Sequence, residues 1–148
     1  MILVTIGTTA FDSLIERIDK VFPKSSDVLF QIADGKYKPV NFPFITFVDN
    51  IDEYYQKARL IICHAGAGTV YQLLEMGKKI IVVPNMNRSD PHQRELADYI
   101  SNNKYGLISD SLTDIHQKVA EAESFVPRKY NRPAFKGGEL LLKIINSL

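Results

Sequence analysis

Two clusters in this chain have the residue types and spacing that chemistry needs. The first is His64-Ala65-Gly66-Ala67-Gly68-Thr69, entered from the apolar run Leu60-Ile61-Ile62-Cys63. Small residues that lead into a helix opened by a hydroxyl aim backbone N–H groups at an anion, so this turn is predicted to hold a diphosphate. The second is Asp90-Pro91-His92-Gln93, which follows Pro84 at the end of another buried-strand pattern. In a doubly wound sheet both loops leave the carboxyl ends of their strands, reach the same edge and share one ligand. His64 leads the glycine turn and is the candidate ionisable group near the phosphates. A partly protonated imidazole there would offset leaving-group charge; a neutral one hydrogen-bonded under the loop would be structural. Gly7-Thr8-Thr9 brings further hydroxyls into the same cleft, or serves as ordinary helix entry.

A glycine turn alone does not name its ligand. The dinucleotide fingerprint fails here: three positions after Gly68 stands Tyr71, the turn follows the fourth strand pattern, and no acid closes a following strand to take a ribose. The Walker loop fails too, since no Gly-Lys-Ser/Thr follows a glycine at the required spacing. Asp90 is also a natural helix N-cap with Pro91 at the first helical position.

Short apolar runs predict strands at Ile2 to Ile6, Val28 to Ala33, Ile45 to Val48, Leu60 to Cys63 and Ile80 to Val83, with a weaker one at Gly106 to Ile108. Helical spacing occupies Phe11 to Phe22, Asp52 to Ala58, Thr69 to Met76, Asp90 to Asn102, Leu112 to Glu123 and Glu139 to Leu148. Continuous apolar character means strands covered on both faces. The expected fold is therefore α/β, a Rossmann-like parallel sheet of five or six strands with helices on both faces. Residues 1–148 read as a single domain, in which 127–148 form a basic, Pro- and Gly-containing connection plus a terminal helix. That helix would dock on this domain or on another chain.

Composition narrows the classes. The chain has 148 residues, 45% hydrophobic and 24% charged, with a net charge of +1, so nothing pulls it globally toward nucleic acid or anionic lipid. One cysteine, Cys63, excludes an internal disulfide, and a reducing cytosol is the natural setting. No basic leader precedes the first strand pattern and no apolar stretch approaches the roughly 18 residues a spanning helix needs, which predicts membrane contact only at the periphery or through a partner.

His64-Ala-Gly-Ala-Gly-Thr69, Gly77-Lys78, Val82-Val83-Pro84 and Asp90-x-His92-Gln93-x-Glu95-Leu96-Ala97 together resemble a particular family. It is the sugar-nucleotide-binding C-terminal domain of MurG-type inverting glycosyltransferases, which include the lipid II-forming enzyme of peptidoglycan synthesis. Val4-Thr5-Ile6-Gly7-Thr8-Thr9-x-Phe11-Asp12 is similar to the small stand-alone members: PssE-like capsule and exopolysaccharide subunits, and the cytosolic subunit of the dolichol-linked N-acetylglucosaminyltransferase. The likeness runs to about Ile108.

This resemblance implies one half of a glycosyltransferase-B architecture. Gly66, Ala67, Gly68 and Thr69 would surround the diphosphate of a UDP-sugar donor, and the segment around Val48 would present backbone groups to the uracil. Asp90, His92 and Gln93 would contact the transferred sugar. Relatives place a ribose-binding glutamate where this chain has Gln72, which retains hydrogen bonding but gives up the charge-assisted bond. The acceptor would be a lipid-linked glycosyl compound, brought by a membrane-associated, PssD-like subunit that supplies the missing half of a two-domain enzyme. The expected setting is cytoplasmic, at the inner face of the membrane. No cofactor or metal is expected, because the chain lacks an Asp-x-Asp pair. Arg128, Lys129, Arg132 and Lys136 are candidates for the docking surface or for anionic headgroups, with a solvated loop as the alternative. A non-catalytic UDP-sugar sensor or assembly subunit, and an interaction module with a vestigial site, are the rival readings.

Overall fold

The computed structural model describes residues 1–87 and 90–132. Among the described residues are six strands, β1 (Ile2–Thr5), β2 (Val28–Gln31), β3 (Phe44–Ile45), β4 (Leu60–His64), β5 (Ile80–Val83) and β6 (Leu107–Ile108), and five helices. These are α1 (Asp12–Val21), α2 (Ile51–Lys57), α3 (Ala67–Glu75), α4 (Pro91–Asn102) and α5 (Ile115–Ser124). The strands form one sheet in the order β3-β2-β1-β4-β5-β6, and every pairing is parallel.

The side-chain period of two sorts each strand onto two cores. Ile2 and Val4 of β1, with Leu60 and Ile62 of β4, pack toward Leu14, Ile15 and Ile18 of α1 and Ile115 and Ala122 of α5. Leu3, Ile61, Cys63 and Val82 face the other way, toward Tyr55 of α2, Val70, Leu73 and Leu74 of α3, and Leu96 and Ile100 of α4. Both sheet faces are covered, and the α/β reading stands. Burial holds the Cys63 thiol up at about 12. Cys63 is therefore expected to resist a thiol reagent in the native protein and to label at the rate of unfolding, which a maleimide time course with and without denaturant measures.

The third strand departs from expectation. Ile32 N–H still donates to Ile45 O at 2.9 Å, but Ala33 then turns to φ +48° and ends β2 as a partner. With no ladder to join, residues 46–50 leave the sheet and bend over its edge. The doubtful sixth strand is present. Gly106 precedes it because a Cβ there would lie 2.6 Å from Ile80 Cγ1.

After α5 the chain lies back on its own domain. Arg128 N–H donates to Lys104 O at 2.8 Å, the Tyr130 ring packs against both Tyr71 and Tyr105, and Arg132 reaches Glu75 at 3.5 Å. Arg128 and Lys129 stay exposed; Lys136 and the terminal helix expected at 139–148 lie outside the described residues.

Candidate functional site

The sheet order reverses direction between β1 and β4, and there the loops that follow these two strands diverge and open a crevice. A cavity of about 220 Å³ occupies it. Its walls include Thr5, Gly7 and Thr8 from β1 and its loop, Phe47 and Val48 from the segment after β3, Ile51 and Tyr55 from α2, and Thr69 and Gln72 from α3. Five of the residues singled out in the sequence thus meet: Gly7, Thr8, Val48, Thr69 and Gln72.

The floor is built by Gln31, a polar residue in an apolar strand and only 4% exposed. Its Oε1 accepts from Thr5 Oγ1 at 2.7 Å and from Ile6 N–H at 3.2 Å, and its Nε2 donates to Gly7 O and Thr46 O, each at 2.9 Å. One side chain therefore ties the β1 loop to the segment that carries Phe47 and Val48. The buried Tyr55 lines the same cavity as Thr5 and Thr69, and burial pushes the pKa of its phenol above the ordinary value. Gln31, Thr5 and Tyr55 were missed in the sequence; the polar Gln31 inside an otherwise apolar strand was the available signal.

At the rim, Gly66 precedes α3 with extended backbone (φ −91°, ψ 122°) and no side chain caps the helix. The first intrahelical bond is Val70 N–H to Gly66 O at 2.9 Å, which leaves the amides of Ala67, Gly68 and Thr69 without intrahelical partners. They carry the positive end of the helix dipole, about half an elementary charge. Ala67 and Gly68 are exposed, and a Cβ at Gly68 would meet nothing within 4 Å. The His64 imidazole lies between the two loops: a Cβ at Gly7 would approach its Cε1 to 2.8 Å, and one at Gly66 would run into the ring. His64 is half-buried beneath the turn, and Thr9 is exposed.

The second cluster stands apart, after β5. Asp90 caps α4, its Oδ1 accepting from His92 N–H at 3.0 Å. The His92 side chain is 85% exposed and approaches Glu95 Oε2 at 3.4 Å. Gln93 is buried, and its Oε1 accepts from Asn85 N–H at 2.9 Å, which fixes the β5–α4 loop. Asp90 and Gln93, with Pro84, Asn85, Met86 and Arg94, line a separate hollow of about 320 Å³; His92 does not. Among the described residues, no group of three or more His, Cys, Asp or Glu is placed to hold a metal, and no helix is long and apolar enough to cross a membrane.

An all-parallel sheet with this strand order and a small-residue turn at its crevice defines a Rossmann-like domain. Acinetobacter baumannii MurG has this fold: the likeness covers 82% of this chain and 41% of that one, with TM-score 0.58 and 20% identity. The chain belongs to the glycosyltransferase family 28 C-terminal domain family, which matches residues 1–134. The human UDP-N-acetylglucosamine transferase subunit ALG13 is 36% identical over 110 residues, 65% of this chain and 10% of the human protein. The Opitutus terrae UDP-N-acetylglucosamine--N-acetylmuramyl-(pentapeptide) pyrophosphoryl-undecaprenol N-acetylglucosamine transferase is 29% identical over 125 residues, 84% of this chain and 33% of that enzyme. The chain thus spans well under two thirds of either relative.

Proposed function

We propose that this chain is the donor-binding part of a UDP-sugar-dependent inverting hexosyltransferase and holds the nucleotide in the crevice between β1 and β4. The observation that carries this reading is the combination, at one switch point, of a cavity with an apolar wall and an uncapped helix N-terminus at its rim. Phe47, Val48 and Ile51 supply a wall for a flat base; the amides of Ala67, Gly68 and Thr69 supply fixed dipoles for the diphosphate. Those dipoles stabilise the charge that grows on departing UDP, so these residues serve the leaving group. The hollow lined by Asp90 and Gln93 is the place for the sugar.

The acceptor is a lipid-linked glycosyl compound in the assembly of a capsule or exopolysaccharide, presented by a membrane-associated, PssD-like partner that also brings the base for the acceptor hydroxyl. The membrane is reached through that partner. Support for the donor comes from the names of the relatives, which make UDP-N-acetylglucosamine the first sugar nucleotide to try.

Gly68→Val tests the phosphate turn with little risk to the fold, because the new side chain points into open space. Native melting behaviour with at least about tenfold weaker UDP binding is expected, the loss of one or two charge-assisted amide contacts. Calorimetry with UDP decides it: unchanged affinity in a folded Gly68→Val protein removes the assignment.

A further inference from the structure

Gln72 lies three residues beyond Thr69 on α3, on the same helical face, and both line the cavity. Val48 and Ile51 of the apolar wall line the same cavity, and the free amides lie about one helical turn before Gln72 on α3. An amide side chain has a donor end and an acceptor end, and its hydrogen-bonding partner decides which one faces a ligand. Here the partner is an acid: Gln72 Nε2 donates to Asp52 Oδ1 at 2.6 Å. The donor end is thereby held by α2, and Oε1 is the end left to meet a ligand. Asp52 carries a negative charge that polarises the amide it grips and makes that carbonyl a stronger acceptor. A neutral glutamine backed by a carboxylate thus offers a ligand an electron-rich oxygen while the charge stays one residue removed.

From this geometry we infer that Asp52 is a positioning residue for ligand recognition: it locks Gln72 so that its carbonyl accepts a hydrogen bond from a hydroxyl of the nucleotide's ribose. The inference rests on the nucleotide reading above: in a nucleoside diphosphate the ribose joins base to phosphates, and Gln72 lines the cavity together with the apolar wall and with Thr69 at the start of α3. Asp52 also stands in the first turn of α2, where an acid favours the helix whatever its partner. The experiment must therefore separate helix support from work done through Gln72.

Calorimetry with UDP, 2′-deoxy-UDP and 3′-deoxy-UDP on the full chain does so, with thermal melts as the fold check. The wild-type protein is expected to prefer UDP over at least one deoxy analogue by about tenfold or more, and Asp52→Ala to bring that ratio near one. Gln72→Glu alone sets two carboxylates against each other and should weaken UDP binding by about tenfold. Adding Asp52→Asn gives the new glutamate an amide donor and should restore both affinity and discrimination, an exchange that helix support cannot produce. An unchanged ratio in Asp52→Ala, a double variant no better than Gln72→Glu, or equal wild-type binding of all three nucleotides overturns the inference while the nucleotide reading stands. Failure of the wild-type protein to bind UDP overturns both.

Discussion

Replacement of Gln31 by leucine is expected to lower the unfolding free energy by about 3–5 kcal/mol, as much as truncating a core leucine, although no apolar contact is removed. The reason is the number of groups one amide serves. Thr5 Oγ1, Ile6 N–H, Gly7 O and Thr46 O all lose a partner, and several are out of reach of water. Each orphaned buried group costs about 1–3 kcal/mol, and the solvent reached by the 46–50 segment recovers part of the sum. The functional loss should exceed the loss of stability. With the β1 loop and Phe47–Val48 no longer tied together, UDP binding should vanish under conditions where circular dichroism still shows a folded protein. Gln31→Glu discriminates within the set: it keeps the acceptors for Thr5 and Ile6 but has no donor for Gly7 O and Thr46 O. Denaturation midpoints that leave Gln31→Leu within about 1 kcal/mol of the native protein would show that this hub does not hold the two loops.

Gly7→Val should be the most damaging change at a single loop position. Gly7 adopts φ +65°, a conformation that costs an L-residue about 1–2 kcal/mol and a β-branched one more. A Cβ there also lies 2.8 Å from His64 Cε1, so the ring must move or the loop must open. Together these amount to about 2–4 kcal/mol, and the displaced loop should abolish nucleotide binding. The two contributions separate in a cycle with Gly7→Ala. In a His64→Ala background the clash disappears and the backbone cost remains, so Gly7→Ala should be milder there than in the native protein, as urea midpoints will show. Equal effects in both backgrounds would mean that His64 does not fill the space Gly7 leaves.

The placement of His64 shows why its role was open in the sequence. Its position before the glycine turn was plain, but whether its ring faces a ligand or packs beneath the loop depends on Gly7, which arrives from a strand 57 positions earlier in the chain. Gln72 is a similar case. Read alone it is a loss of charge; only the packing of α2 against α3 supplies Asp52 as its partner. His92 and Gln93 are adjacent in sequence, yet the helical period turns one to solvent and the other into the β5–α4 loop.

Local pattern alone determined most of the described elements and the class of fold. Continuous β-branched runs such as Ile61-Ile62 and Ile80-Ile81-Val82-Val83 have one stable use, strands buried on both faces, and the helical spacing between them supplies the covering layers. It likewise marked the turn at 66–69, because a run of small residues between strand and helix is a short-range signal. Tertiary structure decided what the chain places around that turn. Strand β3 stopped at Ile45 because the chain beyond its neighbour β2 turns away at Ala33, which freed Phe47 and Val48 to wall the cavity. Thr5 of β1, Gln31 of β2 and Thr46 after β3 came together because hydrogen bonds select partners by distance in space, a quantity that spacing along the chain does not contain.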